Sequence, residues 1–455
     1  MPFKILLVNS VNPDVEVETR QPHLGLAYLV ASARKALPDL DLEFACVNTD
    51  IEAHFASFQP DMVGITTVSQ NYNIAKRHTE FFLGKGVPVI WGGIHISVMP
   101  QTLPKGVVAA CLGEGEATFA ELVSAIYHRV SPQQLREIPG LAYWEDEELR
   151  FSPPRSPIKD IDTIPFPARE LLDIRSHTYM FTSRGCPYRC QFCASSRYWD
   201  RLRFFSAEYV VDEIELLHRD YGVNFISFYD DLFAANVDRV ERIVELLEER
   251  GLAGKLRFSA NCRANIVTER LVKLLKRMNV VSVGIGCESG DAEMLRYLKG
   301  KSVTLEDNFR AVSLFKGQGI FVNASFVIGS PAESKETIRA TVEFIRKSGL
   351  DLVDIYILTP YPGTPVWDYA VAKGFVDPNM EDWSILDVNA YRDPEKTIVL
   401  CENMSREELI DAYKMFRRLR LRHNIMKAWR HPMRHMIPRV VGKMIVDALH
   451  RMLRR

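Results

Sequence analysis

Over residues 1–130, short apolar runs rich in β-branched residues alternate with helix-length segments of mixed polarity. Phe3–Val8, Leu42–Val47, Met62–Thr66, Val87–Trp91 and Val107–Leu112 have the length and near-continuous apolarity of strands buried on both faces. Between them, Gly25–Ala36, Asn71–Leu83 and Ala117–Arg129 have helix length. The alternation predicts an α/β domain with a doubly wound parallel sheet. Ligands of such sheets collect beyond the carboxyl ends of the strands. Glycines and small polar residues fall there in this chain: Thr66-Thr67-Val68-Ser69, Gly92-Gly93-Ile94-His95 and Gly113-Glu114-Gly115-Glu116.

The pattern breaks at residues 131–172, a proline-rich connector with one expected hairpin from Leu141–Trp144 to Leu149–Ser152. A second alternating series then begins, with strands expected at Tyr179–Ser183, Asn224–Tyr229, Leu256–Ala260, Val280–Ile285, Ile320–Ile328 and Leu352–Leu358. Six β/α units over 173–375 predict a partial (β/α)6 barrel whose site is built from loops after the strands. Residues 376–455 read as a helical region. Ser405-Arg-Glu-Glu408 is a capping box opening a helix with Leu409, Tyr413, Phe416 and Leu419 on its apolar face. A last amphipathic helix is expected over Val440–Leu453.

The chemistry concentrates in Cys186-Pro-Tyr-Arg-Cys190-Gln-Phe-Cys193, in the loop after the first barrel strand. Three thiolates at this spacing can hold three irons of a [4Fe–4S] cube and leave the fourth open to a ligand. A structural zinc site is the alternative, but such sites close with four ligands, and the nearby imidazole, His177, lies nine residues upstream.

The C-x3-C-x2-C run with an aromatic residue before its last cysteine resembles the signature of radical S-adenosylmethionine (SAM) enzymes. Preceded by a doubly wound domain, it is similar to their cobalamin-binding-domain subgroup, the class B radical SAM methyltransferases. The likeness runs from the first strand to about residue 375. It is carried by Arg184-Gly-Cys186-Pro, by Phe225–Phe233 with Asp230 and Asp231, and by Ser259-Ala-Asn-Cys-Arg263. Further along it is carried by Gly284-Ile-Gly-Cys-Glu288-Ser-Gly290, Phe326-Val-Ile-Gly329 and Thr359-Pro-Tyr-Pro-Gly-Thr-Pro365.

The resemblance implies a [4Fe–4S] cluster on Cys186, Cys190 and Cys193, with SAM on the open iron. It further implies Phe192 and Ile328 against the adenine, Glu288 at the ribose hydroxyls and Arg263 at the SAM carboxylate. Asp230 and Asp231 would meet the SAM ammonium or turn to the substrate. Thr66, Thr67, Ser69, Gly92, Gly93, His95, Gly113, Glu114 and Gly115 would line a cobalamin site. Plainer readings exist beside these: the two aspartates capping a helix near Asn236 or facing solvent, and Arg263 bridging to a barrel carboxylate. Gly284-Ile-Gly286 is not a dinucleotide fingerprint, because its third glycine is misplaced and Glu-Ser, not a helix start, follows. The subgroup's chemistry would be reductive cleavage of SAM to a 5′-deoxyadenosyl radical, then methylation of an unactivated carbon. Cyclisation, ring rearrangement or carbon–carbon bond formation is the alternative. A reductant such as flavodoxin or ferredoxin would supply the electron.

One departure stands out. Corrinoid domains that ligate cobalt through an imidazole carry Asp-x-His-x-x-Gly after the first strand, whereas here Asn9-Ser-Val-Asn-Pro13 follows Val8. A cobalamin bound here would lack that lower ligand, and a domain that has lost its cofactor is the other reading. His95 fits a loop-forming or corrinoid-contacting role better than cobalt ligation. Cys46 and Cys111 read as small core residues and not as a second cluster set, which argues against methylthiolation. Cys262 and Cys287 are also expected in the core.

Composition adds one fact. The 455 residues carry net charge −1, yet Lys414–Arg455 holds thirteen Lys or Arg against one acid, Asp447. An amphipathic basic tail fits peripheral contact with anionic lipid, and so a small-molecule or lipid substrate; the alternative is that Val440–Leu453 packs on the barrel and its charges form a solvated face. No nucleic-acid recognition motif accompanies it. With eight cysteines, no secretory leader and no apolar run long enough to span a bilayer, the expected location is cytoplasmic, peripheral on the inner face of the membrane.

Overall fold

The computed structural model describes residues 1–13, 22–387, 396–427, 430 and 432; the Val440–Leu453 segment lies outside them. Five parallel strands form the first sheet: β1 (Phe3–Asn9), β2 (Leu42–Val47), β3 (Met62–Thr66), β4 (Val89–Gly92) and β5 (Ala109–Cys111). The hairpin β6 (Leu141–Glu145) and β7 (Glu148–Phe151) adds to its edge antiparallel, giving the order β2-β1-β3-β4-β5-β6-β7. The connector hairpin therefore extends the first sheet, which is mixed and not purely parallel. Its turn is held by Asp146 (φ 46°) and Glu147 (φ 67°), two left-handed residues whose twist matches that of paired strands. Apolar side chains fill both faces, Ile5, Leu7 and Ile90 toward one helical layer and Leu6, Val8 and Trp91 toward the other. This is the two-sided burial that the continuous apolar runs anticipate.

The second sheet is wholly parallel, in the order β15-β14-β13-β12-β11-β8. Its strands are β8 (His177–Met180), β11 (Phe225–Phe228), β12 (Arg257–Cys262), β13 (Val280–Glu288), β14 (Phe321–Ile328) and β15 (Leu352–Ile357). Sequential neighbours joined by helices make the open six-stranded barrel. Its first strand ends earlier than its apolar pattern suggests. The chain leaves the sheet after Met180, and Ser183–Arg184 (β9) pairs antiparallel with Arg203–Phe204 (β10). The cause is Asp230, whose buried carboxylate accepts from Thr182 N (2.8 Å), Thr182 Oγ1 (3.0 Å) and Ser183 Oγ (2.6 Å). The helix Arg406–Lys427 closes the far edge through buried Leu409 and Phe416. Its capping box is formed, Ser405 N donating to Glu408 Oε2 (2.9 Å) and Glu408 N to Ser405 Oγ (3.2 Å). Cys111, Cys262 and Cys287 are buried, and Cys46 is half-buried.

Candidate active site between the two sheets

The carboxyl ends of both sheets open onto one cavity of about 530 Å³. From the first sheet Asn9, Thr66, Thr67, Gly92, Gly93, Gly113, Glu114 and Gly115 line it. From the barrel come Tyr179, Phe181, Arg184, Ser195, Tyr198, Trp199, Tyr229 and Asp231. Seven of the nine residues expected in a corrinoid site thus share one wall. Ser69 and His95 do not. The His95 ring is fully buried behind the wall, Nδ1 against Ser69 Oγ (3.0 Å) and Nε2 against Thr102 Oγ1 (3.0 Å), between Tyr72 and Trp383. Burial drops its pKa to about 3, so it is a neutral packing group.

Two glycines shape the wall. At Gly93 (φ +97°) an added Cβ would lie 2.5 Å from Thr66 Oγ1 and 3.0 Å from Thr67 O, so the loops after β3 and β4 are pressed together. At Gly113 (φ +76°) a Cβ would meet nothing within 4 Å and would project into open space. The wall is close-packed behind and bare in front, which suits a large flat cofactor. Among the described residues, the imidazole that does reach the cavity is His23. Its Nδ1 accepts from Leu26 N (3.1 Å), so a neutral ring carries its proton on Nε2 and offers no lone pair there. Burial holds it neutral, with a pKa of about 4.

The cysteine loop follows β9 directly. Gln191 N donates to Leu298 O (2.9 Å) and Val366 N to Gln191 O (3.4 Å), tying the loop across the barrel mouth. Phe192 packs into the apolar cluster of Leu298, Val327, Leu358 and Trp367. Burial pushes the Cys186 and Cys193 thiols upward, and the neighbouring cysteines and Asp231 add to the effect. Bare thiolates are therefore disfavoured there, and a cationic metal centre is what would deprotonate them. Among the described residues no three His, Cys, Asp or Glu converge as ligands of a metal ion. Thiolates serving three separate irons of a cube need not converge on one point. The donor set fits the cluster.

Arg263 stands beside this loop. Its Nη1 donates to Cys190 Sγ (3.2 Å), its Nη2 to Lys299 O (3.0 Å) and Ser302 Oγ (2.9 Å), and the guanidinium lies 3.9 Å from the Tyr188 ring centroid. Its partners are a thiol, a carbonyl and a hydroxyl, not a barrel carboxylate. With a cluster on Cys190, this hydrogen bond to sulfur would bear on its potential. Glu288 sits at a bulge in β13 with φ 61° and pairs with buried Lys299 (3.4 Å). Gly286 makes room for that carboxylate, since a Cβ there would lie 2.1 Å from Glu288 Oε1. Gly284 makes room in turn for the Asn261 amide, whose Oδ1 would lie 2.5 Å from a Cβ there, so the glycines of Gly-Ile-Gly serve neighbouring side chains and not a phosphate. Ile328 is buried in the barrel core. The paired aspartates divide: Asp230 is buried holding the strand end, whereas Asp231 reaches the cavity and accepts from Ser195 Oγ (2.5 Å). Neither caps the helix Val237–Glu249, which Asn236 caps (3.0 Å).

Comparison with known proteins agrees with this geometry. Residues 180–345 match the radical SAM superfamily and residues 14–123 match the B12 binding domain. An uncharacterized methyltransferase of Pyrococcus horikoshii is 34% identical, covering 82% of this chain and 85% of its own. This chain is a radical SAM enzyme with an amino-terminal cobalamin-binding domain. An anaerobic magnesium-protoporphyrin IX monomethyl ester cyclase of Cereibacter sphaeroides is 27% identical over 77% of this chain and 61% of its own length. The radical SAM methyltransferase TsrM of Kitasatospora setae, solved with cobalamin and a [4Fe–4S] cluster, shares the fold. Its TM-score is 0.67 at 22% identity, over 82% of this chain and 75% of that one. A [4Fe–4S] cluster, SAM and cobalamin are accordingly the cofactors of this radical SAM enzyme.

Sequence reasoning missed the aromatic side of the cavity, Phe181, Tyr198, Trp199 and Tyr229, and the ionic contacts of Arg184 and Arg203. Only the Arg-Gly-Cys motif hinted at Arg184.

Proposed function

We propose that this enzyme methylates an unactivated carbon of an apolar, lipid-like substrate. The shared cavity carries the reading: the cobalamin-type wall and the barrel mouth face the same space, and Gly185 and Ser195, which flank the cysteine loop, reach its lining while the three cysteines lie behind it, so one substrate can lie between the two cofactor sites. When bound, the cluster with SAM supplies a 5′-deoxyadenosyl radical, and the corrinoid supplies a methyl group. The chain contributes placement. Cys186, Cys190 and Cys193 hold the cluster, Arg263 orients and tunes it, and Glu288 and Phe192 receive SAM. Thr66, Thr67, Gly92, Gly93, Gly113 and Gly115 seat the corrinoid. Asp231, raised in pKa by burial though partly offset by Ser195, meets the substrate or the SAM ammonium. Tyr179, Phe181 and Tyr229 form an aromatic group on the barrel side, with Tyr179 and Tyr229 centroids 4.5 Å apart, a surface that suits hydrocarbon.

Access to a membrane-held substrate is supported by the helix Arg406–Lys427, which exposes Leu421, Ile425 and Met426 beside Arg417, Arg418 and Arg422. Among the described residues no helix is long and apolar enough to cross a membrane, so the contact we infer is peripheral. A reductant of flavodoxin or ferredoxin type delivers the electron.

The test is anaerobic reconstitution with iron, sulfide and hydroxocobalamin, then turnover with SAM labelled in its methyl group. The expected product carries one labelled methyl. A product that has lost hydrogen and gained no methyl would instead establish cyclisation, the second reading, which the cyclase relative favours. Iron without bound cobalamin would remove the methyl-transfer reading altogether.

A further inference from the structure

Two motifs 70 residues apart in the chain meet at the edge of the cavity. Glu114 and Glu116 come from the loop after β5, in the cobalamin-binding domain, and Arg184 stands two residues before Cys186. Arg184 Nη1 donates to Glu114 Oε1 at 2.7 Å and its Nη2 to Glu116 Oε1, while Arg203 Nη1 donates to Glu114 Oε2 at 2.9 Å. Glu114 Oε2 also accepts from Ile158 N at 2.7 Å. All four side chains are nearly buried, at 6–11% exposure. Tyr198, from just beyond the cluster loop, adds a hydrogen bond to Gly113 O at 2.6 Å.

The register explains why the contact matters. Arg184 and Arg203 are directly opposed on the two-stranded ribbon β9–β10. Like charges facing each other across strands are destabilising. Here both guanidinium groups bind the two oxygens of one carboxylate, Glu114, and both lie over the Trp199 ring, 5.5 and 5.8 Å from its centroid. The ribbon that leads into Cys186 is thus held together by a residue of the other domain. Its stiffness passes on through Gly185 (φ +88°), where a Cβ would lie 2.7 Å from Arg201 O and 2.9 Å from Trp199 Cβ. On the other side, Gly113, Glu114 and Gly115 form part of the cavity wall.

We propose that the Gly113–Glu116 loop and Arg184 form a latch that couples cobalamin binding to cluster assembly. A seated corrinoid fixes the loop, the loop neutralises the opposed arginines, and the ribbon then holds Cys186 in place. Coupling of this kind is reciprocal, so the cluster must strengthen cobalamin binding by the same factor. Arg184 and Glu114 are positioning residues in this scheme. The inference rests on the cobalamin-binding reading of the first domain.

The experiment measures hydroxocobalamin affinity, by its visible spectrum, for the full chain with its cluster and after chelation of the iron. For the unmodified protein, stripping the cluster should weaken binding roughly 10-fold, within the usual range of site-to-site coupling. In Glu114→Gln the two forms should bind alike. A lost direct contact would instead weaken both forms equally and preserve the ratio, so the ratio isolates the latch. Cluster-independent affinity in the unmodified protein, or an unchanged ratio in the variant, would overturn the proposal. If Glu114→Gln does not fold, Arg203→Gln, which lies outside the cavity, should likewise shrink the ratio, and an unchanged ratio there has the same consequence. No cobalamin binding to either form of the unmodified protein would refute the underlying reading of the first domain, a result separate from cluster-independent binding.

Discussion

The two sheets facing the cavity share an architecture and differ in chemistry. The first presents mainly glycines, threonines and backbone, with Gly92, Gly93 and Gly113 in the wall, its Glu114 and Glu116 taken up by arginines, and His23 and His95 held neutral by burial. The barrel presents aromatic rings, Arg184 and the Asp231 carboxylate to the cavity, with the three thiols and Arg263 on the adjoining cysteine loop. A large preformed cofactor that brings its own functional groups needs a smooth seat. An inorganic cluster and a small sulfonium need ligands and charges from the protein. The same fold thus offers a wall of mostly small residues on one side and the reactive groups on the other. The clasp of Glu114 and Glu116 on Arg184 and Arg203 is where the two meet.

This contrast can be broken from the barrel side first. Cys190→Ala should abolish the cluster: iron should fall from about four per chain to near zero, with no SAM cleavage. Iron analysis and 5′-deoxyadenosine assay check it. Fold stability should change little, since Cys190 is half-buried on a loop.

A smaller effect is expected from the other wall. Gly93→Ala must place a Cβ into Thr66 Oγ1 at a positive φ, costing about 1–3 kcal/mol of local strain. Cobalamin content should fall while iron content and uncoupled SAM cleavage persist. If both cofactors fall together, the walls are not chemically separate.

The smallest effect concerns pH, and its sign differs between the sheets. His95 has a folded pKa of about 3 against 6.5 unfolded, so below pH 6.5 the unfolded chain binds more protons. Its contribution is complete above 6.5 and is lost as pH falls toward 3. Glu333, after β14, is pushed up to about 7 by burial, against 4.5 unfolded. Its contribution is complete below 4.5 and is lost as pH rises through 7. Each group changes stability by at most about 1.4 kcal/mol per pH unit. Hydrogen-exchange protection between pH 5 and 7, corrected for intrinsic rates, should therefore rise with pH around β3–β4 and fall around β14. Parallel slopes would contradict this assignment.

Much of this was legible along the chain. Period and apolarity place nearly every strand of both sheets, because strands buried on two faces must be continuously apolar. The Cys186–Cys193 spacing announces the cluster, because ligand spacing within a loop is a local property. The capping box at Ser405 is local too. The hairpin at Leu141 was legible as a hairpin, but its pairing with β5 was not, because strand order depends on which edge is free. The end of β8 is not legible for a similar reason: its apolar run continues to Phe181, but Asp230, nearly fifty residues on, pulls Thr182 and Ser183 out of the sheet.

The paired aspartates mark the limit most clearly. Asp230 and Asp231 are indistinguishable by type and position, yet one is buried in a strand-end lock and the other faces the cavity. Successive residues leaving a strand point to opposite sides, and only the packed barrel defines which side is solvent. Likewise the sequence leaves His95 either loop-forming or corrinoid-contacting, and the tertiary structure, by closing Tyr72, Thr102 and Trp383 around it, makes it loop-forming. The sequence by itself determined the two α/β series and the spacing of the three candidate cluster ligands, because these rest on local period and spacing, and it pointed to the cofactor class through the family resemblance that its motifs carry. Tertiary structure decided which side chains meet across the cavity, including the Glu114–Arg184 contact, because burial and long-range pairing arise only when the two sheets are brought together.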